Sequence, residues 1–221
     1  MLVLALLAAT TTAFALTEVL KLERTPIVRP RFNVAFAPGC ACPQGTARLP
    51  IRLKKPETMD AIIVDSDGDT VRTLLDGSRE PTGRLVLKWD GTDDSGAIVP
   101  DGTYKVRVSF EGSDRSILVP NPIRVDTEAP EAELVSIEPA AVKRKEPLDI
   151  VFDSNERARL LLYADGALVA RGKLGDQGTI TFVWHGASRL APGRHALTVD
   201  VQDRAGNIAI AGTRNVQVLG R

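Results

Sequence analysis

The residues of this chain best suited to chemistry are acidic side chains gathered at turns. Asp65, Asp67 and Asp69 stand at alternate positions, and Asp76 follows at the twelfth place counted from Asp65. Carboxylates at that spacing suit calcium, which takes about six to eight oxygen ligands. The sixth place, however, is Thr70, where such a loop needs glycine for its bend, and the flanking runs read as strands. A tight turn accounts for every Asp and for Gly68 without an ion. A metal-free hairpin is therefore the expectation, with calcium at Asp65, Asp67, Asp69 and Asp76 the weaker alternative. Asp90, Asp93, Asp94 and Asp101 form a second acidic loop open to the same two readings.

Cys40 and Cys42 are the two cysteines. In an oxidising compartment they can close a small disulfide or bridge to another chain, which is the first reading. Free thiols come next, and metal or redox chemistry last, because no histidine stands nearby to complete a zinc site. His185 and His195 are the two histidines, and base catalysis would call on one of them. No nucleophile elbow and no phosphate-cradling glycine loop accompanies them, so no catalytic residue and no cofactor is expected. Trp89 and Trp184 alternate with apolar neighbours, which assigns them to core packing ahead of sugar stacking.

These residues are carried by segments with a period of two. Ile51 and Leu53 alternate with Arg52 and Lys54; Leu85, Leu87 and Trp89 share a face; Tyr104, Val106, Val108 and Phe110 share another. The same order recurs. Ile180, Phe182 and Trp184 match Leu85, Leu87 and Trp89, and His195, Leu197, Val199 and Val201 match the run from Tyr104 to Phe110. Trp89-Asp90-Gly91, followed by Gly102 and Tyr104, thus has a weaker counterpart in Trp184-His185-Gly186 followed by Gly193. Turn residues about every 8–12 positions are the mark of β-sandwiches. The expectation is all-β: two tandem immunoglobulin-like β-sandwiches at 47–126 and 127–221, preceded by one N-terminal hydrophobic helix.

That helix is expected over residues 1–22. Met1 to Thr17 carries no charge; as a helix it spans about 26 Å at ~1.5 Å per residue, against a bilayer core of ~30 Å. An uncleaved signal anchor is the preferred reading, which makes the lipid bilayer a partner of residues 1–22 and places the remainder outside the cytoplasm. Cleavage near Ala15, after a small-x-small pattern, is the alternative. Residues 23–46, with Pro26, Pro30, Pro38 and Pro43, read as an extended stalk or a strap over the first domain. Lys plus Arg and Asp plus Glu each total 28 in 221 residues, so the basic surplus of nucleic-acid binders is missing.

The pattern Trp89-Asp90-Gly91-x-Asp93-x-x-Gly96, continued by Pro100-x-Gly102-x-Tyr104, resembles the immunoglobulin-like domain of the flagellar hook-capping protein family, the FlgD Ig-like domain. The preceding hairpin, Ile63-Val64-Asp65 through Val71-Arg72-Thr73-Leu74, fits that family too. The second domain is similar to bacterial Ig-like repeats, opening with Asp126-Thr127-x-Ala129-Pro130 and carrying Asp203-Arg204-Ala205-Gly206-Asn207 near its end. The resemblance implies a structural or binding module outside the membrane and does not imply a flagellar role. Adhesion, scaffolding or envelope assembly, without catalysis, is the function expected. Recognition of a glycan or peptide by the loops around Asp90–Pro100 and Gly175–Gly178 is the alternative, with the protein or glycan partner unnamed.

Overall fold

The computed structural model describes residues 26–28, 30, 32, 34–40, 42–111 and 116–220. The leader expected over residues 1–22 lies outside them. Among the described residues no helix is long and apolar enough to cross a membrane.

Alternating side chains build two sandwiches on one plan. In the first, β1 (Ile27–Val28), β3 (Ala47–Leu53) and β6 (Gly83–Trp89) form a three-stranded sheet. Facing it is a sheet ordered β2 (Val34–Phe36), β9 (Ile123–Val125), β7 (Gly102–Phe110), β4 (Glu57–Val64) and β5 (Thr70–Glu80), with β8 (Ser116–Leu118) beside β7. In the second, β10 (Ala132–Glu138), β12 (Leu148–Ser154) and β15 (Gly178–Trp184) face a sheet ordered β11 (Ala141–Lys143), β17 (Ile208–Leu219), β16 (Gly193–Asp203), β13 (Ala158–Ala164) and β14 (Ala167–Arg171).

Period-two alternation turns one set of side chains inward from each strand. On β3, Ala47, Leu49, Ile51 and Leu53 are buried while Arg48 and Arg52 face water; β12 repeats the pattern with Leu148, Ile150, Phe152 and Ser154. Each fully buried Leu or Ile contributes about 1.5–3 kcal/mol from lost apolar hydration. The buried residues fall into two separate clusters, one centred on Trp89 and one on Trp184. Each domain therefore has its own core.

The stretch 23–46 is not a free stalk where it is described. Ile27 pairs with Leu53, and Val34 to Phe36 pair in parallel with Ile123 to Val125. Ile27, Phe36 and Ala37 are buried in the first core. The prolines cut this stretch into two- and three-residue strands at sheet edges, where a missing N–H costs no ladder bond. The strap reading fits, and the first sandwich begins near Ile27, not Ala47. Its split opening strand matches β10 and β11 of the second, down to the parallel pairing of β11 with β17.

Candidate functional site

The Trp-Asp-Gly element works as a structural corner. Trp89 ends β6 and is buried, with its ring edge-on to Phe36 at 5.4 Å and to Tyr104 at 5.1 Å, and its Nε1 donates to the Thr92 carbonyl at 2.8 Å. Asp90 Oδ1 accepts from the Thr92 hydroxyl at 2.7 Å and its N–H at 3.1 Å. Gly91 has φ +81°, and a Cβ there would lie 2.3 Å from Pro38 Cγ. Glycine is needed on both counts. Tyr104, two residues after Gly102, donates its hydroxyl to the Pro100 carbonyl at 2.7 Å.

Each acidic loop uses its carboxylates as turn caps. Asp65 Oδ1 accepts from the N–H groups of Asp67 and Asp69 at 3.0 and 2.9 Å, while Gly68 takes φ +91°. Asp76 sits on β5 opposite Asp60's end of β4, about 20 Å beyond Thr70 at ~3.3 Å per residue. Strands on either side of the turn carry the twelfth residue away, where helices would return it. Asp93 Oδ1 accepts from Ser95 Oγ, Ser95 N and Ala97 N at 2.6, 2.8 and 3.0 Å. The Ser95 hydroxyl, then the Ala97 N–H, hold the Asp93 carboxyl below the usual range, and the Thr92 hydroxyl does the same for Asp90. Asp94 accepts from Thr73 N at 2.9 Å, and Arg72 donates to the Asp93 carbonyl at 2.6 Å.

The two loops meet. Asp65, Asp93, Asp94, Val71, Ile98 and Tyr104 line one cleft of about 500 Å³ at an end of the first sandwich. With their carboxylates already accepting backbone N–H bonds, these residues offer residual acceptor sites beside an apolar wall, a surface for hydroxyl or cationic groups.

The histidines divide. His185 is exposed. His195 places Nδ1 2.6 Å from Asp165 Oδ2 and Nε2 2.8 Å from the Ala191 carbonyl. It therefore does not fill the core as the match to Tyr104 implied, yet it reaches the carbonyl four residues upstream as Tyr104 does. The Asp165 hydrogen bond raises the imidazole above its ordinary value. Both ring nitrogens face acceptors, an arrangement that suits the doubly protonated imidazolium, which donates at both positions.

Among the described residues, Asp126, Glu156 and Asp203 are the acids whose oxygens gather within 4.8 Å of one another, the spacing at which side chains can share an ion. They lie where the two sandwiches join. Asp203 accepts from Gly206 N at 2.6 Å, Asn207 N at 2.8 Å and Asn207 Nδ2 at 2.8 Å, and that same Nδ2 donates to the Asp126 carbonyl at 2.9 Å. Thr127 N donates to Asp101 Oδ2 at 2.9 Å. Cys40 and Cys42 are joined in a disulfide, their Cα atoms 5.2 Å apart. This loop abuts the second domain, since a Cβ on Gly206 would come within 2.9 Å of Cys42 Sγ. Burial raises the Asp126 and Glu156 carboxyls, and for Glu156 the nearby Asp203 and Asp126 add to it. The Asp203–Asn207 run is visible in the sequence as a motif. Glu156, alone in a turn, carries no such signal.

Residues 43–114 match the family model described as FlgD Ig-like domain. No curated protein sequence matches the chain. Solved structures similar to it include the fibronectin(III)-like modules of Clostridium thermocellum CbhA, with 18% identity, a TM-score of 0.45, and 88% of this chain and 93% of that one covered. The BSP domain of a biofilm associated protein is 13% identical with a TM-score of 0.31, covering 89% of this chain and 30% of that one. A tetra-tandem repeat in the extending region of a large adhesion protein is 18% identical with a TM-score of 0.34, covering 82% and 48%.

Proposed function

We propose that this protein is a non-enzymatic, membrane-tethered module whose two Ig-like domains lie outside the cytoplasm and serve adhesion, scaffolding or envelope assembly. The observation that carries this reading is the junction. Two complete sandwiches are tied by Asn207 to Asp126 and by Thr127 to Asp101, with the Cys40–Cys42 loop of one against Gly206 of the other. A scaffold must keep a fixed spacing between its ends, and side-chain bonds across a linker restrict the swing that two free domains would have. The apolar, uncharged run Met1–Thr17 supplies the tether. A disulfide also suits an oxidising compartment.

Fractionation of intact cells tests this: the protein should pellet with membranes and be cut by protease added from outside. Recovery in the soluble cytoplasmic fraction overturns it.

A second reading is recognition of glycan or peptide by loops at the sandwich ends, where binding groups are often placed. It is favoured by the cleft at Asp65, Asp93 and Asp94 and by a cavity beside Gly175. A pull-down on glycans and peptidoglycan that retains nothing, together with no peptide binding, removes it.

A further inference from the structure

The two sandwiches follow one plan, so a place where they differ is informative. In the first, β5 runs eleven residues, and its Val71, Leu74 and Leu75 pack against the core. In the second, the equivalent strand β14 stops after five residues at Arg171. The chain then continues as a strap along β13, with Gly172 N donating to the Leu160 carbonyl and Gly175 N to the Ala158 carbonyl, each at 2.8 Å. The missing strand length leaves a cavity of about 390 Å³ between the strap and β15. Its floor is Phe152, Leu160, Ile180 and Phe182; Arg171 and Lys173 stand at its rim.

This flank is open in three ways. β14 is the outermost strand of the five-stranded sheet and β15 that of the facing sheet. Antiparallel ladders alternate inward- and outward-facing pairs. Because Gly172 donates inward to Leu160, the backbone N–H and carbonyl of Arg171 point away from β13, and no strand among the described residues pairs with them. Arg171 and Lys173 form no ion pair among the described residues, whereas the nearby acid Asp176 is held by Arg157 at 3.5 Å. The groove therefore combines a free strand edge, an apolar floor and two uncommitted cations.

The geometry points to a docking groove for an extended, acidic and apolar peptide segment of another protein, which adds as a strand beside Arg171, sets an apolar side chain over Phe182 and Ile180, and offers carboxylates to Arg171 and Lys173. Strand addition takes affinity from main-chain bonds and specificity from alternate side chains, and the cations select against basic segments. This inference rests on the second reading above and names its ligand class.

The probe is a fluorescein-labelled decapeptide of alternating valine and glutamate, titrated with the whole chain and followed by anisotropy. Saturable binding is expected, weakened at least about tenfold by Arg171→Glu with Lys173→Glu, and similarly by about 0.5 M salt. The valine–lysine peptide should fail to bind. So should a valine–glutamate peptide with N-methylated backbone amides, because its charge and shape persist while its strand hydrogen bonds do not. Both substituted sites are exposed, and an unchanged melting midpoint verifies that the variant folds. Equal binding by the N-methylated peptide, equal binding by the variant, or none up to about 1 mM overturns the proposal. Retention on glycan beads without peptide binding overturns it too while sparing the second reading. Sedimentation showing copies of the chain occupying this groove overturns the choice of occupant.

Discussion

The side-chain amide of Asn207, in the second sandwich, donates to the backbone carbonyl of Asp126, the residue at which the first one ends, across 2.9 Å. Its other partner is Asp203, so one amide holds both a turn and a boundary. Asn207→Ala removes both bonds and should cost about 1–2 kcal/mol. Small-angle scattering should then show a wider spread of end-to-end distances, with each domain still folded. An unchanged scattering profile would mean that the boundary is set elsewhere.

The acids at that boundary oppose folding when ionised. Asp126 and Glu156 both have raised carboxyls, burial being the first cause. A carboxyl that binds its proton more tightly when folded makes stability fall as pH rises from its unfolded value, about 4 to 4.5, through its higher folded one. Acidification through that window should tighten the junction, against the trend of the low-lying Asp90 and Asp93, which lose stability on protonation. The groups facing the pair are Arg124, Asp203, Asp101 and Glu128. Glu156→Gln should remove the share of the effect that Glu156 contributes, leaving that of Asp126, and raise the melting midpoint at neutral pH by about 1–2 °C. A lower midpoint would show that attraction to Arg124 outweighs burial and the repulsion from Asp203 and Asp126.

His195 carries the opposite kind of group with the same direction of pH response. Its imidazole is raised by Asp165, so it folds with its proton held. That contribution is fully present below the unfolded value of about 6.5 and is lost as pH rises through the higher folded one. An NMR titration should place the His195 ring above the ordinary imidazole range, and Asp165→Asn should bring it down. A ring that titrates at or below the ordinary value sinks this account of the corner.

Gly91 and Gly96 separate two reasons for glycine. Both have positive φ, but a Cβ on Gly91 would strike Pro38 and Phe36 whereas one on Gly96 meets nothing within 4 Å. Gly96→Ala should cost about 1–2 kcal/mol, the left-handed penalty alone. Gly91→Ala should cost more, because the strap at Pro38 must also move. Equal losses in urea melts would mean that the strap yields freely.

Trp89 is where sequence and structure agree most directly. Trp89→Ala should cost about 3–5 kcal/mol, and Trp89→Phe less, since Phe keeps the packing against Phe36 and Tyr104 while losing the Nε1 bond to Thr92. A loss under about 1 kcal/mol on replacement by alanine would contradict its central place in the core.

The alternation that exposed Trp89 and Trp184 is a local property, legible because neighbours in the chain share the burden of one sheet face. It located β3, β6, β7, β15 and β16. It failed at Ile27–Val28 and Val34–Phe36, because two or three residues cannot display a period and the prolines between them imitate a linker. The repeat itself held the missing signal: the second copy has Ala132–Lys143 ahead of its β12, so the first required a counterpart ahead of Ala47. The meeting of Asp65 with Asp93 and Asp94, and of Asp126 with Glu156 and Asp203, was not legible. Each depends on how sheets face or how domains abut, over separations that no spacing rule spans.

In both sandwiches a short opening strand runs parallel to the closing one: Val34–Phe36 beside Ile123–Val125, and Ala141–Lys143 beside Gln217–Leu219. Each follows a strand of the facing sheet, β1 or β10, and its parallel course with the closing strand sends the two ends of the domain out at opposite poles. Tension that has drawn away β1 or β10 then drags the parallel pair past each other lengthwise, so its bonds must give way together and cannot unzip in turn. A string of such units resists pulling at the very joints where it is threaded.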